Sequence, residues 1–66
     1  MNKPFDMPMN VWDELLNCER RFFVNNSYRD VKTAIRVSNY HNLAFWEVNN
    51  PDLYTLAKKL IALGEV

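Results

Sequence analysis

The clearest pattern in this chain is a stripe of leucines near its carboxyl end. Between Asn50 and Gly64, leucines recur three and four residues apart, which is the spacing that places side chains on one face of an α-helix. These leucines are Leu53, Leu56, Leu60 and Leu63. Asparagine caps the first free amides of a helix, proline suits its first turn, and glycine adopts the left-handed conformation that ends one, so Asn50, Pro51 and Gly64 are typical helix ends. The sequence therefore predicts a helix over 50–64 whose apolar face belongs to the core.

A second apolar pattern covers residues 10–24. Asn10 followed by Asp13 resembles a capping box, the arrangement in which a capping side chain and an acid three residues later satisfy the first amides of a helix. Two adjacent rows of apolar side chains follow: Val11, Leu15, Cys18 and Phe22 in one, and Trp12, Leu16 and Phe23 in the other. We expect one helix here, ended by Asn25 and Asn26, whose broad face packs on the leucine stripe.

The middle of the chain, residues 27–48, allows two interpretations. Every second residue from 31 to 37 is β-branched, which favours a strand. These residues are Val31, Thr33, Ile35 and Val37. Leu43–Val48 is a short apolar run typical of a second strand, and Ser38–Asn42 would be the hairpin loop. In the simplest register, the outer face of this hairpin carries Lys32 and Arg36 next to Trp46. We favour an α+β fold, a single small helix–β-hairpin–helix domain; the alternative is an all-α three-helix domain, because Ser27 and Asp30 also suit a helix start.

Domain organisation follows from length and from the first residues. Pro4 and Pro8 predict an extended amino-terminal arm over residues 1–9, and residues 10–66 are expected to form one compact domain. A domain of 66 residues buries only about 60% of the surface of its unfolded chain, and one cysteine cannot form an intrachain disulfide. Stability must then come from an efficient core or from association. With 48% hydrophobic residues, homodimerisation is a reasonable expectation.

Charge and hydropathy exclude some classes of protein. The formal net charge is zero, which removes the general attraction of a basic chain for nucleic acid or anionic lipid. The sequence has neither a membrane-length apolar run nor a signal-peptide pattern. A lone Cys18 suits a reducing compartment. We therefore expect a cytoplasmic protein without a membrane partner.

Candidate catalytic residues do not form a recognisable combination. His41 is the only histidine, and the spacing of the other residues identifies no partner that would tune or orient it for acid–base catalysis. A solvated loop histidine is therefore the simpler interpretation. Cys18 lies in an apolar row, where a thiol is usually a small buried hydrophobe. Asp13 and Glu14 are adjacent on a helix and point about 100° apart, so they cannot form a facing pair. We expect no enzyme activity, cofactor or metal.

The remaining candidate for function is the basic and aromatic segment 20–46. Its candidate partner-binding residues are Arg20, Arg21, Arg29, Lys32, Arg36, Tyr40 and Trp46. The leading hypothesis is a non-enzymatic protein-interaction module, a regulator, adaptor or inhibitor of another protein that would suit a phage or mobile element. The alternative is a nucleic-acid-binding regulator that uses the same segment for phosphate neutralisation and base stacking. A plainer interpretation is that the bases form a solvated face and Trp46 fills the core.

Overall fold

Helices are the only regular secondary structure in the part of the chain that the structure describes. This computed structural model describes the backbone of residues 2–66 and the side chains of residues 2–38 and 43–66. The helices are α1 (Met9–Asp13), α2 (Asn17–Arg20), α3 (Phe22–Asn25), α4 (Tyr28–Asn49) and α5 (Pro51–Ala62). The predicted α+β class is therefore wrong. The observed class is that of the all-α alternative, although it contains more than three helices.

Helix α4 stands where the β-hairpin was predicted. Its first turn is capped by Ser27, whose Oγ accepts a hydrogen bond from the backbone amide of Asp30 at 3.1 Å. Three buried side chains then follow at helical spacing: Tyr28, Val31 and Ile35. The helix-propensity cost of a β-branched residue is at most about 0.7 kcal/mol, whereas full burial of an apolar side chain contributes about 1.5–3 kcal/mol. Burial on a helical stripe therefore outweighs the strand preference.

The predicted second strand and its loop also belong to α4. The backbone is helical through residues 38–42, where the loop was expected, and through 43–48. Trp46 packs against the core, whereas its neighbours Phe45 and Val48 are exposed. The alternating β-branched residues do not share one face of the structure either. Val31 and Ile35 are buried, whereas Val37 is exposed. The strand face that was to unite Lys32 and Arg36 with Trp46 therefore does not exist.

Helix α5 begins and ends as the sequence predicts. Asn50 Oδ1 accepts a hydrogen bond from the backbone amide of Leu53 at 3.4 Å, and Gly64 adopts a positive φ of 76°. The backbone amides of Gly64 and Glu65 donate to the carbonyls of Ile61 and Leu60, at 3.1 and 2.9 Å, which is the Schellman arrangement. The inward side of the helix holds the fully buried residues Leu56, Ala57 and Leu60.

The single helix predicted over residues 10–24 is instead the three short helices α1, α2 and α3. The chain leaves helical geometry at Leu16, which is extended with φ −78° and ψ 162°. The backbone amide of Leu16 donates to Glu19 Oε1 at 2.6 Å, so a side chain caps the restarted helix. Arg20 Nη2 donates to the carbonyl of Trp12 at 2.8 Å and so satisfies the end of α1. Both bonds stabilise the break.

The core lies where α4, α5 and residues 7–15 meet, and α2 packs on α5. Its buried apolar side chains are Met7, Val11, Trp12, Leu15, Tyr28, Val31, Ile35, Leu56, Ala57 and Leu60. Residues before α1 contribute through Met7, which is 1% exposed, while Phe5 is 97% exposed. The Lys3 ammonium donates to the carbonyls of Pro4 and Met7, at 3.0 and 2.6 Å, and stabilises the turn that these residues form.

Candidate functional site

The outer side of α4 carries apolar side chains that the fold does not cover. Five of them form a band that we call the α4 outer stripe: Ala34, Val37, Ala44, Phe45 and Val48. Val37, Phe45 and Val48 are 72%, 62% and 80% exposed. A single exposed apolar residue is ordinary, but a surface helix usually presents polar residues opposite its buried face. This grouping on one helix is the most distinctive feature of the described surface.

Three residues of the stripe lie close to one line along the helix, and Ala34 and Phe45 lie to one side of it. At about 100° per residue, Val37, Ala44 and Val48 fall within about 40° of one another, on the side opposite the buried row of the same helix. The separations of three, seven and four residues from Ala34 to Val48 match the seam of a helix–helix contact. At 1.5 Å per residue the stripe is about 21 Å long. Asp30, exposed on the same line, ends it on the amino-terminal side.

Two opposite charges border the stripe on the same flank. Arg36 and Glu47 are both exposed, and each lies about a quarter turn from the line through Val37, on the side away from Phe45. Neither forms an ion pair with another described side chain. The flank is therefore positive near one end of the stripe and negative near the other.

An open apolar groove between α4 and α5 adjoins this flank. Its volume is about 410 Å³, and it is lined by Leu43, Ala44, Glu47, Tyr54, Lys58, Ile61 and Ala62. The Lys58 ammonium lies 5.3 Å from the centre of the Tyr54 ring. Ala44 belongs to both the stripe and the groove, so the two apolar areas are continuous.

Three of the predicted binding residues share one side of α4. Arg29, Lys32 and Arg36 fall within about 60° of one another around the helix. The Lys32 ammonium lies 4.4 Å from the centre of the Tyr28 ring, a cation–π contact within the chain. Arg29 and Arg36 are exposed.

The other predicted binding residues do not extend this basic row. The Arg20 guanidinium lies 4.5 Å from the Trp12 ring and donates to its carbonyl, so it serves the fold of the first three helices. Arg21 is exposed between α2 and α3, and Trp46 is half-buried against the core. Tyr40 lies outside the described side chains, as does His41.

Titratable groups in the interior have structural partners. Glu19, which is 0% exposed, pairs with Lys59 at 2.7 Å, although its second oxygen has no hydrogen-bond partner. The Tyr28 hydroxyl donates to Glu65 Oε1 at 2.5 Å. Burial, and then this hydrogen bond to a carboxylate, raise the pKa of Tyr28 well above its usual 10. The phenol therefore stays protonated and acts as a donor.

The described part of the chain contains neither a metal-binding cluster nor a membrane-spanning helix. Among those residues, no three His, Cys, Asp or Glu side chains are grouped so that they could hold a metal ion. None of the helices there is both long enough and apolar enough to cross a membrane. Cys18 is a half-buried free thiol.

Comparisons with protein-family models, curated proteins and solved structures found no match for this chain. The outer stripe and its flanks are therefore the features of this chain that indicate a function.

Proposed function

We propose that this protein is a small non-enzymatic interaction module that binds protein through the α4 outer stripe. The observation that carries the proposal is the exposure of Val37, Phe45 and Val48 on the outward side of a helix whose buried row fills the core. Binding without chemistry is how a regulator, adaptor or inhibitor acts, and a cytoplasmic location remains part of the proposal.

The energetics of the stripe favour association. Burying an exposed valine or phenylalanine contributes about 1.5–3 kcal/mol per side chain, before the costs of association are subtracted. Phe45 is the natural anchor, because it is the largest side chain of the stripe and buried aromatic side chains commonly dominate the binding energy of an interface. Its cost of ordering is low, since α4 already fixes the backbone.

Site-specific photocrosslinking tests the proposal in cells that produce the protein. Phe45→p-benzoylphenylalanine places the reactive group in the stripe, and the matched control is Asp13→p-benzoylphenylalanine, at an exposed position on α1. We expect protein adducts from position 45 that are absent at position 13 and that disappear when Val48→Asp is added. Equal labelling from both positions, or none from position 45, refutes the proposal.

A second candidate function is nucleic-acid binding through the basic row of Arg29, Lys32 and Arg36. The shared side of α4 supports it, because a helix can present such a row to phosphates. The zero net charge and the engagement of Arg20 by Trp12 count against it. Fluorescence anisotropy with a labelled single-stranded and a duplex oligonucleotide provides the test: binding must weaken steeply with salt and fall for Arg29→Ala/Arg36→Ala. No binding at low salt excludes this function.

A further inference from the structure

We infer that the α4 outer stripe pairs with the same stripe of a second copy of this chain, with the two α4 helices antiparallel. The inference rests on the proposed function and specifies its partner. It is drawn from the self-complementary charges on the flank and from the apolar positions between them.

The charges are placed as a twofold axis requires. Arg36 and Glu47 lie on the same flank of α4, eleven positions apart in the sequence and about 16 Å apart along the helix. A twofold axis perpendicular to both helices keeps each residue on its flank and reverses its direction along the helix. If the axis passes midway between these two residues, each Arg36 meets the Glu47 of the other copy. One operation therefore forms two ion pairs from charges that have no ion-pair partner among the described side chains.

The same operation matches the apolar side chains. Val37 of one copy falls midway between Ala44 and Val48 of the other, about 3 Å from each along the helix and on the same outward line. A small residue opposite a larger one lets two helices approach closely and interdigitate. A parallel pairing would instead set Arg36 level with Arg36 of the other copy, so it would lose both ion pairs.

The size of the stripe indicates a weak dimer. The contact is confined to one helix face about 21 Å long. It therefore buries less area than the roughly 800 Å² per partner of a standard stable interface. Association is therefore expected at about 10 μM to 1 mM, the range of low-affinity complexes. It should weaken with added salt, because the two ion pairs at the rim are solvent-accessible.

Sedimentation equilibrium over this concentration range tests the inference through charge reversal. Arg36→Glu and Glu47→Arg each place like charges opposite one another, and each should weaken dimerisation about tenfold. The double variant Arg36→Glu/Glu47→Arg restores opposite charges and should return close to the wild-type affinity. Arg29→Glu is the matched control, because it makes the same change on the same flank beyond the overlap and should leave dimerisation unchanged. Circular dichroism confirms that each variant is folded.

Three outcomes would overturn the second-copy inference. They are a wild-type chain that stays monomeric at 1 mM, a dimer that survives Val48→Asp, and a double variant that remains as weak as the single ones. Val48 is 80% exposed, so its substitution does not disturb the core. A monomer that still gives position-45 adducts with a different protein refutes the second copy and leaves the proposed function standing. A monomer without such adducts refutes both.

Discussion

Removing the lysine of the buried ion pair should destabilise the domain far more than removing its exposed neighbour. Lys59 on α5 donates to Glu19 Oε1 at 2.7 Å, and the same oxygen accepts the backbone amide of Leu16. Glu19 is 0% exposed, and its second oxygen has no hydrogen-bond partner. Lys59→Met therefore leaves a buried carboxylate with one hydrogen bond and no counterion.

The expected loss is about 2–3 kcal/mol. Breaking a buried ion pair by removing one partner typically costs about 3–5 kcal/mol. We expect a loss at or below the bottom of this range, because the Lys59 side chain is 30% exposed and water reaches its site. A domain of 66 residues has a total stability of about 3–10 kcal/mol. One substitution thus removes a large part of it, equivalent to a fall of roughly 10–20 °C in Tm.

Urea unfolding followed by circular dichroism measures this loss. Lys58→Met is the matched control, because Lys58 is exposed, and it should change stability by no more than about 0.5 kcal/mol. Glu19→Gln keeps an oxygen for the Leu16 amide and removes the charge, so Lys59→Met should cost much less in that background. A loss below about 0.5 kcal/mol for Lys59→Met, or the same loss with Gln at position 19, would refute the argument.

Three further predictions concern helix ends and the buried tyrosine. Gly64→Ala should cost about 1–2 kcal/mol in urea unfolding; the space around it is open, so the cost comes from its φ of 76° alone. Ser27→Ala removes the cap on the Asp30 amide and should cost about 1 kcal/mol, measured in the same way. Because the folded pKa of Tyr28 is raised, the unfolded chain loses its phenolic proton first, and stability should fall as pH rises above about 10. Tyr28→Phe should flatten that dependence when unfolding midpoints are compared from pH 8 to 11.

Helix α5 could be predicted because its signals are local and agree with one another. The cap at Asn50, the leucine spacing and the left-handed Gly64 all lie within one segment, and none depends on the rest of the fold. The break between α1 and α2 could not be predicted in the same way. It depends on Glu19, whose partner Lys59 is forty positions away in the sequence. The one local signal was an acid three residues after Leu16, at the position that caps a helix start.

Two of the predicted binding residues, Arg20 and Trp46, lie away from the basic row of α4 for a similar reason. Arg20 precedes the basic residues of α4 in the sequence, but it is held by Trp12 across the α1–α2 break. Trp46 was placed beside Lys32 and Arg36 by a hairpin register, and on a helix it turns towards the core instead. The outer stripe, by contrast, follows from a helical projection of residues 28–49, which requires knowing only that this segment is one helix.

The misassignment of α4 and its exposed apolar stripe have the same physical origin. An amphipathic helix is recognised in a sequence by its single apolar face. Helix α4 has two apolar faces, and they lie about half a turn apart. Its inward row and outer stripe interleave, so the Leu43–Val48 stretch becomes a nearly continuous apolar run that resembles a buried strand. Had Val37, Phe45 and Val48 been polar, the helical period of residues 28–49 would have been much clearer. Phe45 and Val48 obscure the helical pattern without filling the core, and contact with another chain is the reason that we propose for their apolar character.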